Sequence, residues 1–239
     1  MKTKVRISKF QNVFVALTAA VLAACSSQPE LQSGPDAEIT KDGLVRVDHS
    51  TFSKTYVKPG MDLSKYDRMY VVTAGTDYRD VTTSPAERYG GSGRNEYPLD
   101  EKQRAEFEKL VDEVFEEEFT NSKYFVMAEG PGEDVLLVVG GMVDVVSFVP
   151  PERAARDTVY LAELGQATLV LELRDSLTNE PLARAADRRR VEPNRGTLQA
   201  SSKPRNQQEV KRVIRRWAKQ LVAGLDELHE QGTVPSAAD

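Results

Sequence analysis

Hydrophobic and polar positions along this chain change rhythm several times, and each change marks a boundary. From Val13 to Ala24 nearly every residue is apolar, after a start that carries Lys2, Lys4, Arg6 and Lys9. From Ser26 to about Lys54 apolar residues are scattered among Gln, Ser, Pro, Gly, Asp and Lys, the composition of a flexible tether. Within it "DGLVRVDHSTF" (Asp42 to Phe52) is less polar and can dock against the folded domain. A turn at Pro59 and Gly60 then leads into a strand from about Arg68 to Ala74. An irregular stretch from Gly75 to Pro98 separates this strand from a helix. The helix lies in "LDEKQRAEFEKLVDEVFEEEFTNSK", where Asp100 and Gln103 have capping-box spacing. Its apolar stripe is Phe107, Leu110, Val111, Val114, Phe115 and Phe119.

Four strand-like segments come after the helix, "YFVMA", "DVLLVVGGMVDVVSFV", "ATLVLELRD" and "PLARAADRRRVE". Both alternating sets of the second are apolar, as in a central strand, and Gly140 and Gly141 suggest a bulge or bend in it. "DSLTNEP" reads as the hairpin turn into the arginine-rich strand. A second helix, from about Gln207 to His229 and capped by Asn206 and Glu209, buries Val210, Val213, Ile214, Trp217, Leu221, Leu225 and Leu228. The order predicts an α+β fold, two helices packed on a mostly antiparallel sheet of about five strands. The domain limits expected are a signal peptide at 1–24, a lipidated N-terminus and tether at 25–54, the folded domain at 55–230 and a disordered tail at 231–239.

The first apolar run is shorter than the ~20 residues needed to span a bilayer, and a basic start with small residues at its end is the pattern of a secretory signal. "LAAC" (Leu22 to Cys25), followed by Ser26 and Ser27, resembles the lipobox of bacterial lipoproteins. That resemblance implies cleavage before Cys25, a diacylglyceryl thioether on its sulfur and acylation of its new amino group. More than one acyl chain makes a stable anchor. In Gram-negative lipoproteins an aspartate after the cysteine favours retention in the inner membrane; Ser26 therefore points to the outer membrane, with the domain facing the periplasm.

The formal net charge is −5, and loss of the four N-terminal cations takes it to −9, which disfavours nucleic acid as a partner. Catalytic patterns are missing from the sequence. His49 and His229 are the only histidines, so the expected core offers none for a Ser-His-Asp triad. With the single cysteine assigned to lipid, neither a thiol nucleophile nor a zinc site is indicated, and "GGSG" (Gly90 to Gly93) lacks the lysine and spacing of a phosphate loop. No cofactor, metal or catalytic residue is therefore assigned. The remaining enzymatic alternative is a peptidoglycan- or glycan-cleaving enzyme with paired carboxylates, for which Asp144 is the acid most open to partial burial; the competing expectation is an aspartate satisfied by a neighbouring arginine.

Binding residues are easier to find. The Gly75 to Pro98 stretch carries Tyr78, Arg79, Arg88, Tyr89, Arg94 and Tyr97, types enriched at interfaces, and these form the candidate partner-binding set. Arg184, Arg188, Arg189, Arg190 and Arg195 either meet an anionic glycan or lipid head group or solubilise an exposed or edge strand.

"DGLVRVDHSTFSKTYVKPGMDLSKYDRMYV", "ATLVLELRDSLTNEPLARAADRR" and "RRWAKQLVAGLDEL" resemble, in that order, blocks of the bacterial lipoprotein family of unknown function DUF3313. Asn179 stands where glycine is commoner in the turn, a tolerable change because asparagine accepts a left-handed backbone. The family's name carries no activity, so the resemblance transfers no catalytic residue. The expectation is a non-catalytic binding or scaffold module of the envelope, lipid-anchored in the membrane, with an envelope protein or peptidoglycan as partner.

Overall fold

The computed structural model describes residues 28–81, 96–151 and 158–235. In chain order the strands are β1 (Glu30–Leu31), β2 (Val45–Asp48), β3 (Lys54–Val57), β4 (Arg68–Tyr78), β5 (Val126–Met127), β6 (Val135–Ser147), β7 (Tyr160–Leu161), β8 (Gly165–Asp175), β9 (Pro181–Val191) and β10 (Gln199–Ala200). Helix α1 (Glu101–Phe119) lies between β4 and β5, and α2 (Lys203–Gln231) follows β10.

Eight strands make one mixed sheet in the order β1-β2-β3-β9-β8-β6-β4-β5, while β7 and β10 pair as a separate ribbon. This corrects the expectation of about five mostly antiparallel strands on two counts. First, α1 carries the chain back along the sheet, so β4 runs parallel to both β5 and β6. Second, the segment read as a flexible tether supplies β1 and β2 and opens β3, with Leu44 fully buried and Val45 and Val47 nearly so. The tail is also part of the fold up to its described end: Val234 is 7% exposed and its amide donates to the carbonyl of Met61 at 2.8 Å.

Both helices lie on one face of the sheet. Phe119 of α1 and Trp217, Leu221, Val222 and Leu225 of α2 share a core cluster with Leu136 and Val138 of β6 and Leu169, Leu171 and Leu173 of β8. Between the helices Arg215 pairs with Glu117 at 2.6 Å and Glu118 at 3.0 Å. The capping box of α1 is formed: Gln103 N–H donates to Asp100 at 2.8 Å and Asp100 N–H to the Gln103 side chain at 2.9 Å. Helix α2 starts earlier than its expected cap. Ser202 is the N-cap and Pro204 lies in the first turn, where its fixed φ suits the helix. Asn206 instead donates to Ser201 Oγ at 2.8 Å, and Glu209 pairs with Arg212.

Against β8 Gly140 and Gly141 keep register, whereas against β4 the ladder shifts between Gly140 and Met142, an irregularity at the glycines; a second lies between Val143 and Val146, with Asp144 at φ 57°. Gly141 also makes room for its neighbour. A Cβ there would lie 3.0 Å from the carbonyl of Gly75, so its absence lets β4 pass close by while β4 itself shifts register near that point. Asn179, at φ 59° in the β8–β9 turn, adopts the left-handed backbone its chemistry permits. The arginine-rich strand, β9, is not an edge: it pairs with β3 on one side and β8 on the other.

Candidate functional site

The bulge in β6 turns Asp144 toward the end of β4. There Arg79 holds it with two donors, Nε at 2.7 Å and Nη2 at 2.8 Å, and also bonds Glu96. Arg188 reaches the same carboxylate at 3.1 Å and Gln166 at 3.3 Å. The Arg79 guanidinium holds Asp144 below the usual carboxylate range against the opposing effect of burial. The expectation that Asp144 is satisfied by an arginine is met in this geometry.

Arg79, Glu96, Gln166 and Arg188, gathered around Asp144, form one wall of an open groove of about 880 Å³ at the end of the sheet where β6 and β9 finish and β8 begins. Five arginines line it, at 79, 188, 189, 190 and 216, against two glutamates, Glu96 and Glu192. Their donors are unevenly used. Arg189 is committed: Nε donates to Asp187 at 2.6 Å, Nη2 bonds Gln220, and the guanidinium sits over the Trp217 ring at 5.6 Å. Arg188 is 57% exposed, Arg190 meets Glu163 only at 3.7 Å, and Arg216 is exposed with no ion-pair partner among the described residues. A guanidinium has five N–H donors, so the rim retains most of its capacity for a carboxylate or phosphate.

The candidate partner-binding set divides. Tyr78 turns inward: its hydroxyl donates to Glu108 at 2.9 Å, its ring meets Phe107 edge-on at 6.4 Å, and Arg104 covers it at 4.6 Å. Burial and the Glu108 carboxylate push its phenol up. Arg79, the next residue, points into the groove. Tyr97 is half-buried, and its N–H donates to the carbonyl of Ser147 at 2.8 Å beside the groove. Arg88, Tyr89 and Arg94 lie outside the described residues, as do Cys25 and Ser26, and the Arg195 side chain is not among those described. The structure thus joins Arg79 to Arg188, Arg189 and Arg190, two features that stand far apart in sequence. Sequence reading missed Gln166, Glu96 and Arg216. Only Gln166 left a signal, a polar residue directly before the strand segment ATLVLELRD.

Among the described residues no group of three or more His, Cys, Asp or Glu converges to hold a metal ion, and no helix is long and apolar enough to cross a membrane.

A family model described as "Protein of unknown function (DUF3313)" matches residues 36–221. No curated protein matches. Solved structures similar to this chain share little sequence with it. A protein from Xanthomonas campestris, XCC0632 of the DUF330 family, has 13% identity and a TM-score of 0.39, over 72% of this chain and 89% of its own. The PelC dodecamer from Paraburkholderia phytofirmans has 10% identity and a TM-score of 0.34, over 70% and 96%. A putative neuraminyllactose-binding hemagglutinin homolog from Helicobacter pylori has 12% identity and a TM-score of 0.30, over 68% and 83%.

Proposed function

The chain belongs to the DUF3313 family, and from that premise, which supplies no activity, we propose that it is a non-catalytic binding module whose arginine groove receives the anionic part of a cell-envelope partner. We place it as a lipoprotein at the periplasmic face of the outer membrane, anchored through Cys25 and sorted by Ser26, on the strength of the lipobox-like "LAAC" and the serine after it.

The observation that carries the reading is the excess of partly unused guanidinium groups over carboxylates along one groove. Cationic donors held on strands and a helix are already positioned, so a ligand carrying carboxylate or phosphate gains charge-assisted bonds at little ordering cost. The same geometry supports binding over glycan cleavage. A glycosidase acid needs a raised pKa, whereas Arg79 lowers that of Asp144 and also engages Glu96.

Photo-crosslinking in intact cells tests this. A photoreactive residue in place of Phe148 should capture a partner from the wild-type background, and Arg188→Gln, Arg190→Gln and Arg216→Gln together should abolish capture without lowering the melting temperature. Unchanged capture in the triple variant would overturn the reading.

A further inference from the structure

The groove opens beside a second feature, built outside the main sheet. The β7–β10 ribbon has two residues on each strand, and around it Val159 is 38% exposed, Tyr160 60% and Leu198 70%. The ribbon is tied to the basic surroundings by described contacts. Ser201 N–H donates to the carbonyl of Val159 at 2.7 Å, and Arg205 donates to that of Ala200 at 3.0 Å. Glu163, two residues past Leu161, is the carboxylate that Arg190 approaches at 3.7 Å. Arg212 donates at 3.4 Å to the carbonyl of Glu192, another groove residue. The first part of α2 continues the charge: from Lys203 to Lys219 there are seven basic residues and one acidic one. Large apolar tips thus stand at the edge of a field of arginines.

That combination selects among anionic ligands. A free phosphate or carboxylate uses the arginines and has no use for Tyr160 and Leu198. A bilayer with anionic head groups uses both, because apolar tips enter the boundary between head groups and acyl chains while guanidinium groups meet the phosphates. An exposed leucine at the other end of the sheet provides the contrast. Leu177, 59% exposed in the β8–β9 turn, lies beside Asp175 and near Glu180, which Lys65 and Lys58 balance, so no excess of cations surrounds it.

We propose that the ribbon end of the domain docks on an anionic lipid surface, with Tyr160 and Leu198 entering the interface and Arg188, Arg190, Arg205 and Arg216 facing the phosphates. This names the partner class for the groove and rests on the reading of that groove as an anion-binding site.

The test uses the full chain with Cys25→Ser, which removes the only thiol. A polarity-sensitive dye is then attached through Leu198→Cys or, as the control, through Leu177→Cys. Both proteins share the same N-terminus, so association through its apolar run affects them alike. Phosphatidylglycerol vesicles should shift the dye at position 198 to the blue and leave position 177 unchanged. Phosphatidylcholine vesicles should need at least tenfold more lipid for the same shift, as should the variant with Arg188→Gln, Arg190→Gln and Arg216→Gln. Equal shifts at both positions, equal response to the two lipids, or no response to phosphatidylglycerol would each overturn the proposal. If phosphatidylglycerol fails while the Phe148 crosslinker still captures a protein in an arginine-dependent way, the lipid is excluded and the binding reading survives. If both fail, the two fall together.

Discussion

Alternate residues of one strand build two regions of opposite character. Asp187 and Arg189 of β9 meet α2, where Asp187 accepts from Trp217 Nε1 at 2.8 Å, from Arg189 and from both the N–H and the hydroxyl of Ser53. Asp187 is 6% exposed and Trp217 1%. Arg188 and Arg190 reach outward to Asp144 and Glu163 and remain largely in solvent. One set forms a buried clamp that joins β3, β9 and α2; the other forms a rim with donors to spare. The difference teaches that a run such as "DRRR" has no single role: the two-residue period of the strand assigns neighbours to stability and recognition in turn.

The strongest way to break this contrast is Trp217→Ala. It empties the largest buried side chain and removes a donor from Asp187, so unfolding free energy should fall by about 3–5 kcal/mol in urea titration, much of a typical domain's stability. A variant that unfolds like the wild type would show that the clamp does not hold the fold. Next comes Asp187→Ala, which leaves Arg189, Trp217 and Ser53 without their shared acceptor and should cost about 3 kcal/mol in the same assay.

A smaller effect sharpens the comparison through pH. Burial alone would raise the Asp187 pKa, but hydrogen bonds from Ser53, Trp217 and Arg189 outweigh it and hold the carboxyl below its ordinary value. A lowered folded-state pKa gives stability that is fully present above the unfolded value of about 3.9 and is lost as pH falls through the folded one. Urea midpoints should therefore be flat near neutrality and fall below about pH 4. Asp187→Asn should reduce that fall without removing it, since Asp144, Asp134 and Asp42 are held low as well. The smallest expected effect belongs to the rim: Arg188→Gln, Arg190→Gln and Arg216→Gln together should move stability by no more than about 0.5 kcal/mol by thermal melt, as for exposed charges elsewhere. A larger loss would make the rim part of the clamp.

Local signals were legible in the sequence, and contacts between distant segments were not. The α1 cap is a four-residue pattern, and the burial of Trp217 follows from its helical face, so both could be read directly. The parallel placing of β4 and β6 depends on how α1 returns the chain, which no residue type announces. The N-terminal strands looked like tether because β2 and β3 have four residues each and acquire their partners late; Ser53 meets Asp187 across 134 positions. At the site, Arg79 was visible as a residue type but its neighbours were not. Tyr78 and Arg79 looked equivalent in composition, and the strand sends one beneath α1 and the other into the groove. The glycines marked the shift against β4, but nothing in the sequence marked the second irregularity at Asp144, where Arg79, Arg188 and Gln166 from three other segments meet its carboxylate.

The β1-β2-β3-β9 order also makes the sheet's edge a mechanical element. Tension applied at the N-terminus meets β1 first, held to β2 by two residue pairs, then the β2–β3 pairing, and only afterwards the four pairs of β3 with β9 and the Ser53–Asp187 bonds. The Asp42–Arg184 bond ties the chain ahead of β2 directly to β9, so it shares the load with the outer strands and makes the edge a braced seam rather than a loose hem.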